Sequence, residues 1–335
     1  MSLNSLINNS VVALPGGSGS WGQELTKQLL DKEPKMVIIY SRGELAQVEM
    51  QRKFNDARIK YVIGDIRDSG AVDRLFRQYK IDIVFHLAAL KHVPVCENQP
   101  QEACKTNING TAHLVNAAVR YGIEKFIDVS TDKEVAPTNL YGFTKAVGEK
   151  LTIQANNLTK DTDFVCIRGG NVLGTNGSVV PLFIDQIKTK NKVTVTDGSM
   201  TRYFLTLSQA IHLLFQAATE SVGGETYVMN MPSFYISDVA KALIEHYGNK
   251  ETTIEEIGIR EGEKADEELI SVHEAKRAYK FSDDYYVILP DIHIDRDYEY
   301  VKSLEKFKGK SFSSSDDVKD MVYLKDLLNI GGFLT

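Results

Sequence analysis

The feature that most constrains how this chain can fold is a glycine-rich turn set between two hydrophobic patterns of different period. Val11-Val-Ala-Leu-Pro15 is a short apolar run of strand type. The turn Gly16-Gly17-Ser18-Gly19-Ser20-Trp21-Gly22 follows, and Leu25, Leu29 and Leu30 then recur at helical spacing. Gly17, Gly19 and Gly22 form Gly-x-Gly-x-x-Gly between a strand and a helix, the context in which that motif marks a dinucleotide site. Glycines let the backbone approach a pyrophosphate, and the first helical turn offers it unpaired N–H groups. The alternative for these residues is a plain glycine-rich turn.

The chain continues to alternate. Met36–Tyr40 reads as a second strand ending in Ser41-Arg42-Gly43-Glu44. A serine and an arginine there suit a 2′-phosphate, which favours NADP over NAD, while Glu44 remains within reach of a ribose. A third strand, Ile59–Ile63, leads to Gly64-Asp65-Ile66; Asp65 is placed to touch an adenine edge with Ile66 beside it, and Asp68 is the better helix cap. After a fourth strand, Ile81–His86, the small residues around Leu87 and Ala88 leave room for a cofactor, and Lys91 points toward the same crevice. His86 and His92 read as structural, with no metal-ligand set around them. A helix from about Glu102 to Tyr121, a strand at Lys125–Val129, a helix from about Asn139 and a strand at Phe164–Arg168 complete the pattern. Strand, helix, strand in strict turn predicts a doubly wound parallel sheet.

The polar cluster between the Lys125–Val129 strand and the next helix carries the chemistry. Ser130-Thr131-Asp132-Lys133 stands at the carboxyl end of a strand, where open α/β sheets keep their ligands. Tyr141 and Lys145 are spaced i,i+4 and share a helix face, so the ammonium favours phenolate and makes the phenol a usable base. Asp132 and Lys133 add an acid and a base side by side. The Tyr-x-x-x-Lys spacing alone decides little, since it recurs at Tyr121/Lys125 and Tyr298/Lys302, which read as ordinary surface residues.

Beyond Asn171 the regularity fades. Val179–Lys190 and Ser208–Thr219 read as helices, and Val193–Val195 and Thr201–Leu205 as short strands, together a smaller lobe closing over the cleft. Arg202 and Arg260 read as lying in polar turns, where arginines suit a diphosphate. Residues from about Lys306 to Asp317, rich in Ser and Lys, read as a mobile loop or an arm.

A net charge of −6 without a basic block argues against a nucleic-acid partner. Three cysteines without metal-like spacing fit a reducing compartment. The first residues carry no basic segment, and the apolar run that follows is too short for a membrane span, so cytoplasm is the expected location and no membrane partner is expected.

Read together, these motifs resemble a known family. Gly-Gly-Ser-Gly-Ser-Trp-Gly, Ala-Leu-Lys-His-Val-Pro, Ser-Thr-Asp-Lys followed by Asn-Leu-Tyr-Gly-x-Thr-Lys, Gly-Asn-Val, Gly-Ser-Val-Val-Pro-Leu-Phe, Met-Thr-Arg-Tyr-Phe and Gly-Ile-Arg-Glu-Gly-Glu-Lys occur in order. The set is similar to the extended short-chain dehydrogenase/reductases, and among them to the inverting UDP-N-acetylglucosamine 4,6-dehydratases that begin pseudaminic acid synthesis. The resemblance implies a Rossmann-type sheet over 1–175, also receiving roughly 203–232, with 176–335 mainly a mixed α/β substrate-binding lobe and tail.

It further implies a UDP-sugar substrate, a homo-oligomer and internally recycled NADP. Catalysis would fall to Thr131, Asp132, Lys133, Tyr141 and Lys145. Tyr141 would take the carbon-4 hydroxyl proton, Lys133 as a neutral amine the carbon-5 proton, its pKa lowered by burial and by Lys145. A protonated Asp132 would help the carbon-6 hydroxyl leave. The cofactor would lie against Gly17 to Gly22, Ser41, Arg42, Glu44, Asp65, Ile66, Leu87, Ala88, Lys91, Ser130, Tyr141 and Lys145. The substrate would meet Lys91, Asn171, Ser178, Arg202, Arg260 and Glu263. Gly169-Gly170 stands where the family usually has Tyr-Gly, and Asn176 where arginine is common. Alternatives are a partial cycle that releases a 5,6-ene sugar, or a nucleotide-sugar reductase or epimerase.

Overall fold

The computed structural model describes residues 2–175 and 177–334; Asn176 lies outside the described residues. A short helix α1 (Leu3–Ile7) precedes an alternating half: β1 (Val11–Pro15), α2 (Ser20–Leu30), β2 (Met36–Ser41), α3 (Glu44–Phe54), β3 (Ile59–Ile63), α4 (Ser69–Tyr79) and β4 (Ile83–His86). Helices α5 (Val93–Asn98) and α6 (Pro100–Ala103) then lead through a wide turn at Cys104–Gly110 into α7 (Thr111–Tyr121). After it come β5 (Lys125–Thr131), α8 (Leu140–Gln154) and β6 (Asp163–Gly169).

These boundaries follow local chemistry. All residues of β1 and β4 are buried, as expected for strands covered on both faces by helices. Asp68 caps α4 by accepting from the Ala71 N–H, as its position suggested, and Gly122 ends α7 in the left-handed conformation at φ 58°.

The second half supplies β7 (Asn171–Val172), α9 (Val179–Lys190), β8 (Lys192–Val195), β9 (Thr201–Leu205), α10 (Leu207–Glu220), β10 (Thr226–Met229), β11 (Ser233–Tyr235) and α11 (Ile236–Tyr247). It continues with β12 (Thr253–Glu256), β13 (Glu268–Ile270), β14 (Ala278–Lys280), β15 (Tyr285–Ile288), β16 (Glu305–Lys306), β17 (Phe312–Ser313) and α12 (Met321–Ile330).

One ten-stranded sheet runs β16-β14-β15-β10-β6-β5-β4-β1-β2-β3. From β3 to β10 every pairing is parallel, and β15, β14 and β16 extend that edge antiparallel. The strand order reverses at β1, which opens a crevice above the carboxyl ends of β1 and β4. The doubly wound α/β sheet read from the sequence is therefore the architecture of the molecule. A smaller lobe is built from the β11-β9-β7 sheet, the β8/β12 and β13/β17 pairs, and α9, α11 and α12. Its apolar centre includes Leu173, Phe183, Phe204, Phe234, Leu243 and Leu324.

Three expectations need correction. The 306–317 stretch contains β17, whose Phe312 and Ser313 pair with Ile270 and Glu268, and the Ser314 N–H donates to the Glu267 carbonyl. Lys125 is not a surface residue: it is buried, and its ammonium joins Asp163 at 2.8 Å and the Ser221 carbonyl at 2.7 Å. Arg202 does not sit in a polar turn but inside β9, almost fully buried.

Candidate active site

A cavity of about 1130 Å³ spans the crevice from the glycine turn to the smaller lobe. That exceeds the roughly 300–1,000 Å³ usual for one small ligand and leaves room for two. At its floor Gly16 adopts φ 84°, and a Cβ there would lie 2.6 Å from the Ala88 nitrogen, so the turn presses directly on the residues after β4. Ser18, Gly19, Ser20 and Trp21 line the wall above it, while Gly17 and Gly22 lie behind, packed on Leu14 and on each other. An open glycine-rich floor leading into the first turn of α2 fits a dinucleotide pyrophosphate.

Ser41, Arg42, Asp65, Ile66, Leu87, Ala88, Lys91 and Ser130 also line the cavity. Glu44 does not; it opens α3 on the exposed surface. The side chains taken as readers of a 2′-phosphate have neighbours of their own. Ser41 Oγ accepts from Ser18 Oγ at 2.9 Å and from Gln47 Nε2 at 2.9 Å, and Arg42 lies 3.9 Å from the Asp65 carboxylate. Asp65 in turn accepts from Arg67, which lowers its pKa against burial.

The catalytic candidates meet at the end of β5. Asn139 caps α8 by accepting from the Gly142 N–H, and a Cβ on Gly142 would fall 2.0 Å from the Lys133 carbonyl oxygen. Only glycine permits that approach, which brings Tyr141 beside the 131–133 segment. Tyr141, Thr131, Asp132 and Lys133 all line the cavity; Lys145 stands behind Tyr141, buried. Lys145 Nζ meets Asp128 Oδ1 at 3.1 Å, and Asp128, fully buried in β5, was not singled out from the sequence.

Charge in this site differs from expectation. Burial pushes the Tyr141 phenol above its ordinary pKa, against the pull of Lys145 and the hydrogen bond with Thr131. Lys133 was expected to be a neutral amine. Burial does work against its charge, but the carboxylates of Asp132 at 3.0 Å and Glu267 at 3.3 Å outweigh it and hold the ammonium well above its usual range. Asp132 Oδ1 also accepts from Thr131 Oγ1 at 2.9 Å. Glu267, just before β13, is a second acid that sequence reading missed; it is buried and does not line the cavity.

The smaller lobe closes the other side. Lys91, Asn171, Ser178, Arg202, Arg260 and Glu263 all line the same cavity. Arg202 donates to the carbonyls of Thr201, Lys264 and Ala265 at 2.7–2.8 Å and lies 3.4 Å from Glu263, so it braces the 263–267 segment as well as facing the cavity. Thr138 and Asn139 donate to the Gly262 carbonyl, which ties the Arg260 loop to the start of α8. Gly170 faces Tyr203 and Asp132: a Cβ there would lie 2.7 Å from Tyr203 Cβ and 3.2 Å from Asp132 Oδ2.

A profile described as Polysaccharide biosynthesis protein matches residues 12–289, most of the chain. The chain belongs to that family, within the extended short-chain dehydrogenase/reductases. A Campylobacter jejuni member named UDP-N-acetylglucosamine 4,6-dehydratase (inverting) is 38% identical over 335 residues, covering 97% of this chain and 98% of its own. The crystal structure of Pen from Bacillus thuringiensis superposes with a TM-score of 0.91 at 36% identity, over 98% of this chain and 99% of that one. More distant members keep the fold: dTDP-glucose 4,6-dehydratase from Streptomyces venezuelae aligns at TM-score 0.69 and 22% identity, covering 76% and 86% of the two chains.

That structure holds NAD, and two further structures of the fold hold NAD or NADH. The NADP preference drawn from Ser41 and Arg42 is therefore corrected. Both side chains line the cavity, Ser41 Oγ hydrogen-bonded to Ser18 and Gln47 and Arg42 3.9 Å from the Asp65 carboxylate.

Proposed function

We propose that this protein is a UDP-N-acetylglucosamine 4,6-dehydratase that inverts carbon 5, giving a UDP-linked 4-keto-6-deoxy-L-AltNAc. The observation that carries the reading is the Asp132–Lys133 pair, 3.0 Å apart on the cavity wall beside Tyr141. Reduction or simple epimerisation needs one proton-transfer group at carbon 4; only an elimination also needs an acid and a base next to it.

In this reading Tyr141 acts as the phenolate, which Lys145 and the Thr131 hydrogen bond favour against burial, and takes the proton of the carbon-4 hydroxyl. Bound NAD would supply the hydride acceptor and donor, so the cycle needs no external reductant. With a ketone at carbon 4 the carbon-5 proton becomes acidic, and Lys133 removes it. Asp132, 3.0 Å from Lys133, relays that proton to the carbon-6 hydroxyl, which departs as water while the electron pair forms the carbon 5–carbon 6 double bond. Return of the hydride to carbon 6 and protonation of carbon 5 on the opposite face then give the inverted 6-deoxy sugar. Arg202 and Arg260 suit the diphosphate, and Lys91, Asn171, Ser178 and Glu263 the remaining polar groups of the UDP-sugar. Family resemblance adds a homo-oligomer working in the cytoplasm at the start of pseudaminic acid synthesis.

Proton NMR of the protein with NAD and UDP-N-acetylglucosamine in heavy water tests this. The expected product carries a 6-methyl group, deuterium at carbon 5 and an inverted coupling pattern, and Lys133→Ala forms none of it. Vinyl signals would mean that the cycle stops at the 5,6-ene; an unchanged spectrum would sink the substrate assignment.

A further inference from the structure

Lys133 is one ammonium between two buried carboxylates, its sequence neighbour Asp132 and the distant Glu267. Asp132 Oδ1 lies 3.0 Å and Glu267 Oε1 3.3 Å from its Nζ. The two acids are not equivalent. Asp132 lines the cavity and accepts from Thr131 as well, whereas Glu267 lies behind Lys133, outside the cavity wall. Glu267 is anchored through its backbone, whose N–H donates to Ser314 Oγ at 2.9 Å and whose carbonyl accepts from Ser314 N at 2.8 Å. Its Oε2 is buried and has no hydrogen-bond partner among the described residues. A buried carboxylate oxygen without a donor is costly as an anion and much less so as a neutral acid. The other charged groups facing it are Arg202, 3.9 Å away at Nε, and Lys264, with the Tyr203 phenol nearby.

We infer that Glu267 is the proton partner of Lys133, a positioning residue that takes the ammonium proton and so makes the amine a base when the sugar is bound. This rests on the dehydratase reading. In the transfer one N–H bond of Lys133 breaks and an O–H bond forms on Glu267, so the pair exchanges ammonium and carboxylate for amine and acid at constant net charge. The freed lone pair then takes the carbon-5 proton, and the electron pair of that C–H bond passes into the enolate of the carbon-4 ketone. No proton has to come from or go to solvent before the amine acts. This resolves the conflict between a base that must be neutral and an amine flanked by two acids. The proton that Lys133 takes from carbon 5 can then pass across the 3.0 Å contact to Asp132 and on to the departing hydroxyl.

Two measurements decide it. The first uses protein labelled with ¹⁵N at lysine Nζ, without sugar, and follows the Lys133 signal with pH, the Lys133→Ala spectrum giving the assignment. Glu267→Gln removes one of the two flanking charges, so the ammonium should be lost at lower pH than in the unaltered protein; identical titration would overturn the inference whatever sugar the protein accepts. The second follows deuterium entry at carbon 5 against pH. The unaltered protein should be flat between about pH 6 and 9, because the proton moves inside the pair. Glu267→Gln should fall about a hundredfold at pH 7 and rise about tenfold per pH unit, and Glu267→Asp should restore a flat profile. A flat profile for Glu267→Gln, even at a reduced rate, would mean a purely structural role and overturn the inference. If the unaltered protein gave no carbon-5 exchange, the substrate reading would fail, and the titration would still decide on Glu267.

Discussion

At the scale of single residues, Gly170 sets how close two walls of the site can come. Its absent side chain admits Tyr203 from β9 and leaves Asp132 Oδ2 where it is. Gly170→Ala should therefore displace Asp132 relative to Lys133 and lower kcat at least tenfold with the fold intact, since misplacing a reacting group by about 1 Å costs on the order of a hundredfold. Steady-state kinetics alongside circular dichroism checks this; an unchanged kcat would remove Gly170 from the account. Residue-level legibility was uneven for a physical reason. Thr131, Asp132, Lys133, Tyr141 and Lys145 announce themselves because a strand end and one helical turn bring near neighbours in sequence together. Glu267 and Asp128 do not, because their partners are fixed by tertiary packing and neither carries a periodic signal. Ser41 and Arg42 misled in the opposite way: residue type suggested a phosphate site, yet structures of the same fold hold NAD or NADH.

At the scale of elements, the catalytic strand rests on a buried ion cluster that joins several pieces of the fold. Arg168 of β6 meets Glu134 from the turn after β5 at 2.7 Å, Glu149 of α8 at 2.7 Å and Glu274 beyond β13 at 2.9 Å. Glu134 also accepts from Ser130 Oγ on the cavity wall. Arg168→Leu would leave three carboxyls without their cation, and we expect a loss of about 3–5 kcal/mol in urea unfolding. A loss below about 1 kcal/mol would show that the carboxyls simply take up protons. The cluster also sets a pH dependence. Burial works against the Glu274 carboxylate, but Arg168 and the Ser271 hydrogen bonds bring its pKa down to about 2. A carboxyl lowered on folding stabilises above its unfolded value and loses that contribution as the pH falls from about 4.5 toward 2. Thermal melts of Glu274→Gln should therefore lie below those of the unaltered protein at pH 6, with the gap closing by pH 2.5; a gap independent of pH would show that its charge does not matter. Glu134 has the opposite sign. Burial and the neighbouring Glu149 raise its pKa, so its ionisation destabilises the fold as the pH rises.

At the scale of the whole molecule, the alternating half was legible because each strand is a continuous apolar run and each helix has its own start and stop signals. In the second half the elements at 179–190, 193–195, 201–205 and 208–219 were legible too, whereas the later strands, two to four residues long, gain their identity from what they pair with. Strands β14, β15 and β16 carry no pattern of their own that predicts a place on the large sheet, yet they extend it beyond β10. That arrangement bears on how the chain leaves the ribosome. The strand that bears Arg168 has its outer edge covered only by β10, and β10 is covered in turn only by β15 from much later in the chain. A nascent chain that has emerged through β6 thus holds a finished glycine turn and catalytic strand while the outer edge of β6 stays unpaired, open to any passing extended segment. Synthesis arrested at that point should yield a chaperone-dependent, protease-sensitive intermediate, whereas arrest after β15 should not.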